Sequence, residues 1–186
     1  CLAQNGWLYG IHDDDDERNR RPTRILEIGA INTKLLDAAA ATNKDNVCKH
    51  KITVRAIDLH SMHEGIEEAD FLQIPVPRVS FDVIVCSMVL NCVTTPKERG
   101  DMVAKMYHCL RPGGRVFLTI PKTCLNLSKY MDRWRFEALL EAVGLRVLEH
   151  TKDSPKLAYF ICEKSKEQPE FDATAWLTVR VIRRGR

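Results

Sequence analysis

Short, largely apolar segments alternate with segments of helical pattern along most of this chain. Apolar runs of this length are typical of strands that are buried on both faces, as in a parallel sheet. The runs are 24–28 (RILEI), 52–57 (ITVRAI), 81–86 (FDVIVC) and 115–120 (RVFLTI). The helical patterns are 33–41, 96–110 and 131–143. Strand–helix–strand repetition predicts an α/β fold with a mostly parallel sheet that is flanked by helices.

Local signals predict where these elements start and stop. Asn32 can cap the first helix, and Pro96 suits the first turn of the second. The run Arg111-Pro112-Gly113-Gly114 stops the second helix before the next strand. The remaining strand candidates are a short one at 66–72 and two that are joined by a turn, 145–150 and 157–163. The last pair predicts an antiparallel strand at or near one edge of the sheet.

Composition bounds the class of protein. Of 186 residues, 45% are apolar and 28% are charged, as in an ordinary soluble globular domain. The net charge of +3 is too small to indicate nucleic-acid binding by itself. No apolar run approaches the roughly 20 residues that span a bilayer, and no secretory signal pattern is present. We therefore expect no membrane partner.

The chain begins with a cysteine rather than a methionine, so we expect a fragment of a longer protein whose targeting segment, if any, lies upstream. We divide it into three parts. Residues 1–23 form an N-terminal segment with a charged linker that we expect to be solvated. Residues 24–164 form the ligand-binding domain, and residues 165–186 form a basic extension with some strand character at 175–182.

Seven cysteines, an odd number without a CxxC pair, argue against a disulfide framework. Cys86, Cys109 and Cys162 fall inside apolar runs. Buried reduced thiols are the prediction, and they suit a cytosolic or nuclear compartment.

Acidic and small residues follow the predicted strands at the ends where an open parallel sheet binds its ligands. An acidic residue at the end of the second strand, Asp58, can accept hydrogen bonds from both ribose hydroxyls. Gly29 lets a ligand approach the backbone closely. Asp70 can accept from an adenine amino group, and the backbone near Phe71 can reach a ring nitrogen. The full set of predicted cofactor contacts is Glu27, Gly29, Ala30, Asp58, Leu59, His60, Asp70, Phe71, Ser87 and Met88.

The loop after the first strand reads Gly29-Ala30-Ile31-Asn32, which is not GxGxxG. The missing glycines argue against a dinucleotide, whose pyrophosphate needs an open backbone cradle. A sulfonium ligand makes no such demand, and the carboxylate of Glu27 suits a ligand that carries positive charge. These observations favour S-adenosylmethionine over NAD. Each residue alone has a plainer explanation, and Asp58 in particular can simply cap a turn.

The motifs together resemble those of class I S-adenosylmethionine-dependent methyltransferases, which have a Rossmann-like fold. The similar stretches are 26–29 (LEIG), 57–58 (ID), 69–71 (ADF), 81–84 (FDVI) and 110–114 (LRPGG). The usual second glycine of the first motif is replaced by Ile31. The interval from Asp58 to Asp70 is too short for a full helix, so we expect only a turn there.

A narrower resemblance covers residues 24–164 and points to the fungal 25S ribosomal RNA adenine-N1 methyltransferase family. It rests on 57–61 (IDLHS), 87–102 (SMVLNCVTTPKERGDM) and 121–132 (PKTCLNLSKYMD). The resemblance implies a nucleolar enzyme of ribosome biogenesis and rRNA processing that methylates N1 of one adenine. Its partner would be large-subunit ribosomal RNA or a pre-ribosome. The expected N-terminal helical region, which could help to bind RNA, is largely absent from this chain.

For such a reaction, positioning should matter more than acid–base chemistry, because adenine N1 has a lone pair that attacks the methyl group directly. The base must leave its stack and be held edge-on. We predict that Asn91 and Asn126 hydrogen-bond the base and that Tyr130 stacks on it, with turn capping and helix packing as the alternatives. Predicted phosphate contacts, each of which could instead be a solvated charge, are Lys122, Lys129, Arg133 and Arg135.

Several alternatives remain open at this point. A related animal branch senses S-adenosylmethionine without turnover, although the VLN and NLSKY patterns favour the enzyme branch. A small-molecule or protein methyltransferase is a third possibility. His60 and His63 lack a convincing third ligand, so we predict no metal site. The sequence leaves the oligomeric state open.

Overall fold

Seven strands form a single sheet in the computed structural model, which describes residues 21–45, 51–129, 131–148 and 153–165. The strands are β1 (Thr23–Ile28), β2 (Ile52–Asp58), β3 (Glu67–Glu68), β4 (Phe81–Ser87), β5 (Leu110–Pro121), β6 (Leu145–Val147) and β7 (Leu157–Lys164). Their order across the sheet is β3-β2-β1-β4-β5-β7-β6. Strands β1 to β5 pair in parallel, and β7 runs antiparallel between β5 and β6. The predicted fold class is confirmed.

The described residues form four helices, two of which begin at a residue whose side chain caps the first turn, Thr95 and Asp132. The helices are α1 (Lys34–Lys44), α2 (Pro96–Cys109), α3 (Thr123–Asn126) and α4 (Arg133–Ala142). Asn32 Oδ1 accepts a hydrogen bond from the backbone N–H of Lys34 at 3.0 Å, although the N-cap residue of α1 is Thr33, one residue later than predicted, and its side chain makes no capping bond. Thr95 and Glu98 form a reciprocal capping box in front of α2, and Pro96 occupies its first turn.

The core lies on both faces of the central strands because these strands carry few polar residues. Val83, Ile84 and Cys86 of β4 are almost fully buried. Met102, Val103 and Met106 of α2 are buried in the same cluster as Ile84 and Cys86. Burial of both faces explains why the parallel strands have continuous rather than alternating apolar sequences.

Strands β3 and β5 differ from the prediction, and the short helix α3 was not predicted. Strand β5 begins at Leu110, directly after α2, whereas the sequence indicated a break at Pro112-Gly113-Gly114. Leu110 pairs with Phe81, and the pairing then shifts register before Arg115 pairs with Val83, so the glycines form an irregularity within the strand. Strand β3 has only two residues, and the segment from β2 to β3 contains no helix, as expected. The predicted strand at 175–182 lies outside the described residues.

An ion-pair cluster fastens the amino end of β4. Asp82 is fully buried and accepts hydrogen bonds from both Nη atoms of Arg21, at 3.0 and 2.8 Å, and from the N–H of Arg24 at 2.8 Å. Arg111 Nη1 lies 3.6 Å from the same carboxylate. Arg21 was expected in a solvated linker, but its guanidinium instead neutralises a carboxylate that the core would otherwise leave unpaired.

The cysteines match the expectation of reduced, buried thiols where the structure describes them. Cys86, Cys109 and Cys162 are free and buried. Burial disfavours the thiolate and raises the pKa of Cys86 and of Cys162 to about 12. These thiols are therefore unreactive near neutral pH.

Candidate cofactor and substrate site

The crevice at the carboxyl edge of the sheet follows from the strand order. Strand β1 lies between β2 and β4. The chain first builds the sheet outward from β1 through β2 and β3, and then continues on the other side of β1 with β4 and β5. Parallel sheets bind ligands outside the strand ends at this switch point. Loops that follow β1, β2, β4 and β5 therefore converge on the same region.

Gly29 gives the loop after β1 its shape. Its φ of +79° lies in the left-handed region that favours glycine. A Cβ atom at this position would collide with the Val89 side chain of the loop after β4. The N–H groups of Gly29 and Ala30 both donate to the carbonyl of Ile57, at 2.9 and 3.1 Å. Gly29 is thus required by packing between loops as well as by its backbone angle, and Ala30 is buried beside β2.

Glu27 provides an unpaired acceptor just below this loop. Its Oε2 atom is buried, and no hydrogen-bond donor of the described residues contacts it. Burial also raises the pKa of Glu27 above its ordinary value. A buried carboxylate without a partner is costly in the free protein. It suits a ligand that brings positive charge or hydrogen-bond donors to this point.

Asp58 ends β2 and orders the turn that follows it. One carboxylate oxygen, Oδ1, accepts a hydrogen bond from the N–H of His60 at 2.9 Å. The side chain therefore caps a turn, the plainer explanation above, and this use leaves Oδ2 to a ligand. Leu59 and His60 are exposed on the turn.

Asp70 and Phe71 begin the next loop, and this loop is fixed from behind. Asp70 Oδ1 accepts from the N–H of Leu72 at 2.8 Å. The Phe71 side chain is 3% exposed and belongs to the core, so its backbone rather than its ring is available to a ligand. Lys105 Nζ of α2 donates to the carbonyls of Phe71, Leu72 and Ile74, at 2.5, 3.2 and 2.6 Å. Lys105 thereby holds the loop against α2.

The loop after β4 leads from the crevice into a cavity. Ser87 is exposed at the end of the strand, and Met88 follows with a positive φ of 63°. The N–H of Met88 donates to the carbonyl of Thr119 at 2.9 Å, which ties the loop to β5. Met88 is one wall of a cavity of about 630 Å³, a size typical of small-ligand sites. The other lining residues are Pro121, Lys122, Thr123, Asn126, Leu127, Pro155, Lys156 and Leu157.

The predicted base contacts fall in different places. Asn126 lines the cavity at the end of α3. Asn91 does not line the cavity, but its buried Oδ1 has no partner among the described residues, while its Nδ2 donates to Cys92 Sγ at 3.4 Å. Tyr130 lies outside the described residues.

The predicted phosphate contacts differ in the ion pairs that they form with acidic residues of the protein itself. Lys122 Nζ lies 3.4 Å from Asp153 Oδ2. Arg133 pairs with Asp153 at 2.5 Å and with Glu137 at 3.0 Å, and its guanidinium lies over the Phe160 ring. These partners engage the guanidinium within the protein, and the phosphate contact of Arg133 stays a prediction.

The two remaining basic side chains are Arg135 and Lys129. Arg135 lies 3.7 Å from Asp132, and Lys129 is exposed. Lys156 was not singled out from the sequence, yet it lines the cavity. It does so because β7 pairs with β5, which brings the Lys156 carbonyl to 2.9 Å from the backbone N of Lys122.

Trp134 is a second residue that the sequence analysis missed. It is 75% exposed in the first turn of α4. Its signal in the sequence was a tryptophan between two arginines at the start of a helix, a place where polar residues are usual.

The donor set defines the chemistry of the region. The described residues contain no cluster of three or more metal-binding side chains. They place two acidic loops, an unpaired carboxylate and a cavity with an amide side chain along one edge. This arrangement can hold a nucleoside with a cationic substituent beside a second, planar substrate.

In the described part of the chain, no helix is both long enough and apolar enough to cross a bilayer.

Comparison with known proteins gives consistent matches. A sequence profile of the family "25S rRNA (adenine(2142)-N(1))-methyltransferase, Bmt2" matches residues 6–180. The chain is 34% identical over 148 residues to the 25S rRNA (adenine(2142)-N(1))-methyltransferase of Saccharomyces cerevisiae, covering 78% of this chain and 41% of that protein. It is 30% identical over 149 residues to the 25S rRNA adenine-N(1) methyltransferase of Schizosaccharomyces pombe, covering 77% and 51%. The chain thus spans about half the length of these relatives, or less.

A solved structure of similar fold is that of a SAM-dependent methyltransferase from Methanosarcina mazei. The two structures have a TM-score of 0.61 and 17% sequence identity, over 87% of this chain and 98% of that one. At this identity the likeness is one of fold. It confirms the Rossmann-like architecture that the motifs predicted.

Proposed function

Because this chain belongs to the 25S rRNA (adenine(2142)-N(1))-methyltransferase family, we propose that it methylates N1 of an adenine in large-subunit ribosomal RNA, with S-adenosylmethionine as methyl donor. The observation that carries this proposal is the cavity that Met88 and Asn126 share. It opens beside the end of β4, next to the edge where a nucleoside would bind, so a second substrate can reach the ligand held there.

The residues at the edge fit S-adenosylmethionine. Asp58 offers an oxygen to the ribose, and the Asp70–Phe71 loop offers a carboxylate and backbone groups to the adenine. Glu27 supplies a negative charge whose buried Oε2 lacks a partner in the described residues. When bound, S-adenosylmethionine supplies an electrophilic methyl group on a sulfonium. The chain's role is then to orient the ligand so that this methyl group faces the cavity.

Asn126 in the cavity wall and Asn91 outside the cavity would orient the target base. An amide side chain such as that of Asn126 can both donate to and accept from the edge of an adenine. Asn91 has a buried oxygen that needs a donor, and the adenine amino group can provide one. Displacement by N1 needs no general base, so alignment of N1 with the methyl group is the main contribution of these residues. Tyr130 remains a predicted stacking partner.

Partners and compartment follow from the same proposal. The RNA would be bound as large-subunit ribosomal RNA or within a pre-ribosome, and the enzyme would act in the nucleus, in the nucleolus. The names of the relatives support an RNA substrate, and the buried reduced thiols suit a reducing compartment. Regions of the relatives that this chain does not span can contribute further RNA contacts.

Methyl transfer to unmodified large-subunit ribosomal RNA tests the proposal. We expect N1-methyladenosine at one site, read as a stop in reverse transcription and as the modified nucleoside in a digest. Replacing Asn126 by Ala should lower kcat about tenfold, because one bond to the base is lost, and should leave the Kd for S-adenosylmethionine unchanged. Tight binding of S-adenosylmethionine without transfer to RNA would instead indicate a sensor that uses the same site.

A further inference from the structure

Exposed apolar side chains concentrate at the edge of the sheet that carries the site. In the described part of the chain, the large ones that follow β1, β2, β4 and β5 are Ile31, Leu59, Met62, Met88, Leu127 and Trp134, whereas Val79 lies at the opposite edge. Single exposed apolar residues are normal on protein surfaces, but a concentration at one edge indicates a binding surface.

Trp134 is the largest of these side chains and lies in the first turn of α4. Asp132 caps α4, with its Oδ1 accepting from the N–H of Arg135 at 2.8 Å, which fixes the first helical turn. Asp153 bridges Arg133 of this turn to Lys122 of the cavity wall, at 2.5 and 3.4 Å. Trp134 is thus the sequence neighbour of a residue that is linked to the cavity wall through Asp153, and its side chain is 75% exposed.

The charge around Trp134 indicates which kind of partner it meets. Lys122 and Lys156 line the cavity. Lys129 follows the lining residue Leu127 closely along the chain, and Arg135 is the sequence neighbour of Trp134. The acidic residues nearby are paired with basic ones, Asp132 with Arg135 and Asp153 with Arg133 and Lys122. Protein–protein interfaces are depleted in lysine, whereas an exposed aromatic ring among lysines is typical of surfaces that bind unpaired nucleotides. This surface thus fits RNA better than it fits a protein.

We propose that Trp134 stacks on an unpaired base next to the nucleotide whose base enters the cavity, while Lys129 and Lys156 contact the flanking phosphates. This inference rests on the proposed function, because it assumes that the cavity accepts a base from RNA. It adds a residue that recognises the RNA strand rather than the target adenine. Stacking on tryptophan is tolerant of sequence, so Trp134 would select for an unstacked strand and not for a particular base.

Fluorescence tests the contact independently of catalysis. The full chain has three tryptophans, and replacing Trp7 and Trp176 by Phe leaves Trp134 as the sole indole. Titration with single-stranded poly(A) should quench its emission saturably, and added salt should weaken the binding because phosphates are contacted. Binding of poly(A), measured by anisotropy of a labelled strand, without any quenching of Trp134 would overturn the proposal.

Kinetics separate the Trp134 contact from the proposed reaction. Trp134→Ala should raise the KM for ribosomal RNA about tenfold, with kcat and the Kd for S-adenosylmethionine unchanged, and Trp134→Phe should retain most of the affinity. Val79→Ala, an exposed apolar residue at the opposite edge, is the matched control, and unfolding midpoints report the fold of each variant.

The outcomes distinguish the two proposals. If the parent chain methylates RNA and Trp134→Ala has the parental KM, the stacking inference fails and the proposed function stands. If the parent chain does not methylate RNA at all, the proposed function fails, and the fluorescence titration still decides whether Trp134 binds a strand. A Trp134→Ala variant that loses a protein partner but keeps its affinity for RNA would also overturn the inference.

Discussion

Replacing Asp82 by Ala should lower the free energy of unfolding by about 3 kcal/mol or more, which is a large fraction of the stability of a domain of this size. The carboxylate is fully buried and is hydrogen-bonded to Arg21 and to the N–H of Arg24. Its removal deprives two guanidinium groups, those of Arg21 and Arg111, of their anion. Both side chains are about three-quarters buried. An uncompensated buried charge costs far more than a broken surface pair.

Chemical denaturation of the ligand-free protein measures this effect, and Glu67→Ala provides the matched control. Glu67 also forms a two-pronged pair with an arginine, Arg55, at 2.8 and 2.9 Å, but both side chains are about one-third or more exposed. Screening by water should limit that loss to less than about 1 kcal/mol. If both variants lost the same free energy of unfolding, burial would not explain how much Asp82 contributes to stability.

Replacing Glu27 by Gln should weaken binding of S-adenosylmethionine on the order of 100-fold, because a charged interaction in a half-buried site is lost. The parent protein should also bind less tightly as the pH falls through the raised pKa of Glu27, since the cation prefers the ionised carboxylate. The Gln variant should lack this pH dependence. Calorimetric titrations across the acidic range measure both effects.

Glu27→Gln should weaken ligand binding but raise the free energy of unfolding of the ligand-free protein at neutral pH. The pKa of this carboxyl is raised in the folded protein, so the folded state binds its proton more tightly than the unfolded state does. The stability that protonated Glu27 contributes is therefore present below the pKa that this carboxyl has in the unfolded chain. It is lost as the pH rises through the higher pKa that the carboxyl has in the folded protein. At neutral pH the Gln variant should unfold at higher denaturant concentration than the parent.

Glu141→Gln serves as the control, because its side chain is exposed near the end of α4, away from the strand ends. It should change neither affinity nor its pH dependence. A Glu27→Gln variant that binds S-adenosylmethionine as tightly as the parent would show that the carboxylate does not face the ligand's charge.

Much of the fold was predictable because its signals are local. Apolar runs identify the strands, and Asn32, Thr95 and Pro96 mark helix starts through bonds within a few residues. The strand order then places Gly29 and Asp58 at one edge. The extension of β5 through Gly113-Gly114 was missed, because it depends on pairing of Leu110 with Phe81, a contact that sequence periodicity does not report.

The site was predictable only where it follows from strand ends. Two lysines belong to the site through tertiary contacts. Lys105 of α2 hydrogen-bonds to the loop that contains Phe71, and Lys156, in the turn before β7, lines the cavity. The partners of Arg133 show the same distinction. Glu137 lies four residues further along the predicted helix, a spacing at which a pair is expected from the sequence. Asp153 lies 20 residues away along the chain and is identified only once the segment before β7 is packed against α4.

Calorimetric titration of S-adenosylmethionine into the parent chain and the Asp58→Ala variant tests the central claim, that the carboxyl edge of this sheet is the cofactor site. We predict saturable binding of one ligand per chain, weakened about tenfold when the ribose loses a charged acceptor. Absence of binding to the folded parent chain, or equal affinities for parent and variant, would contradict the account.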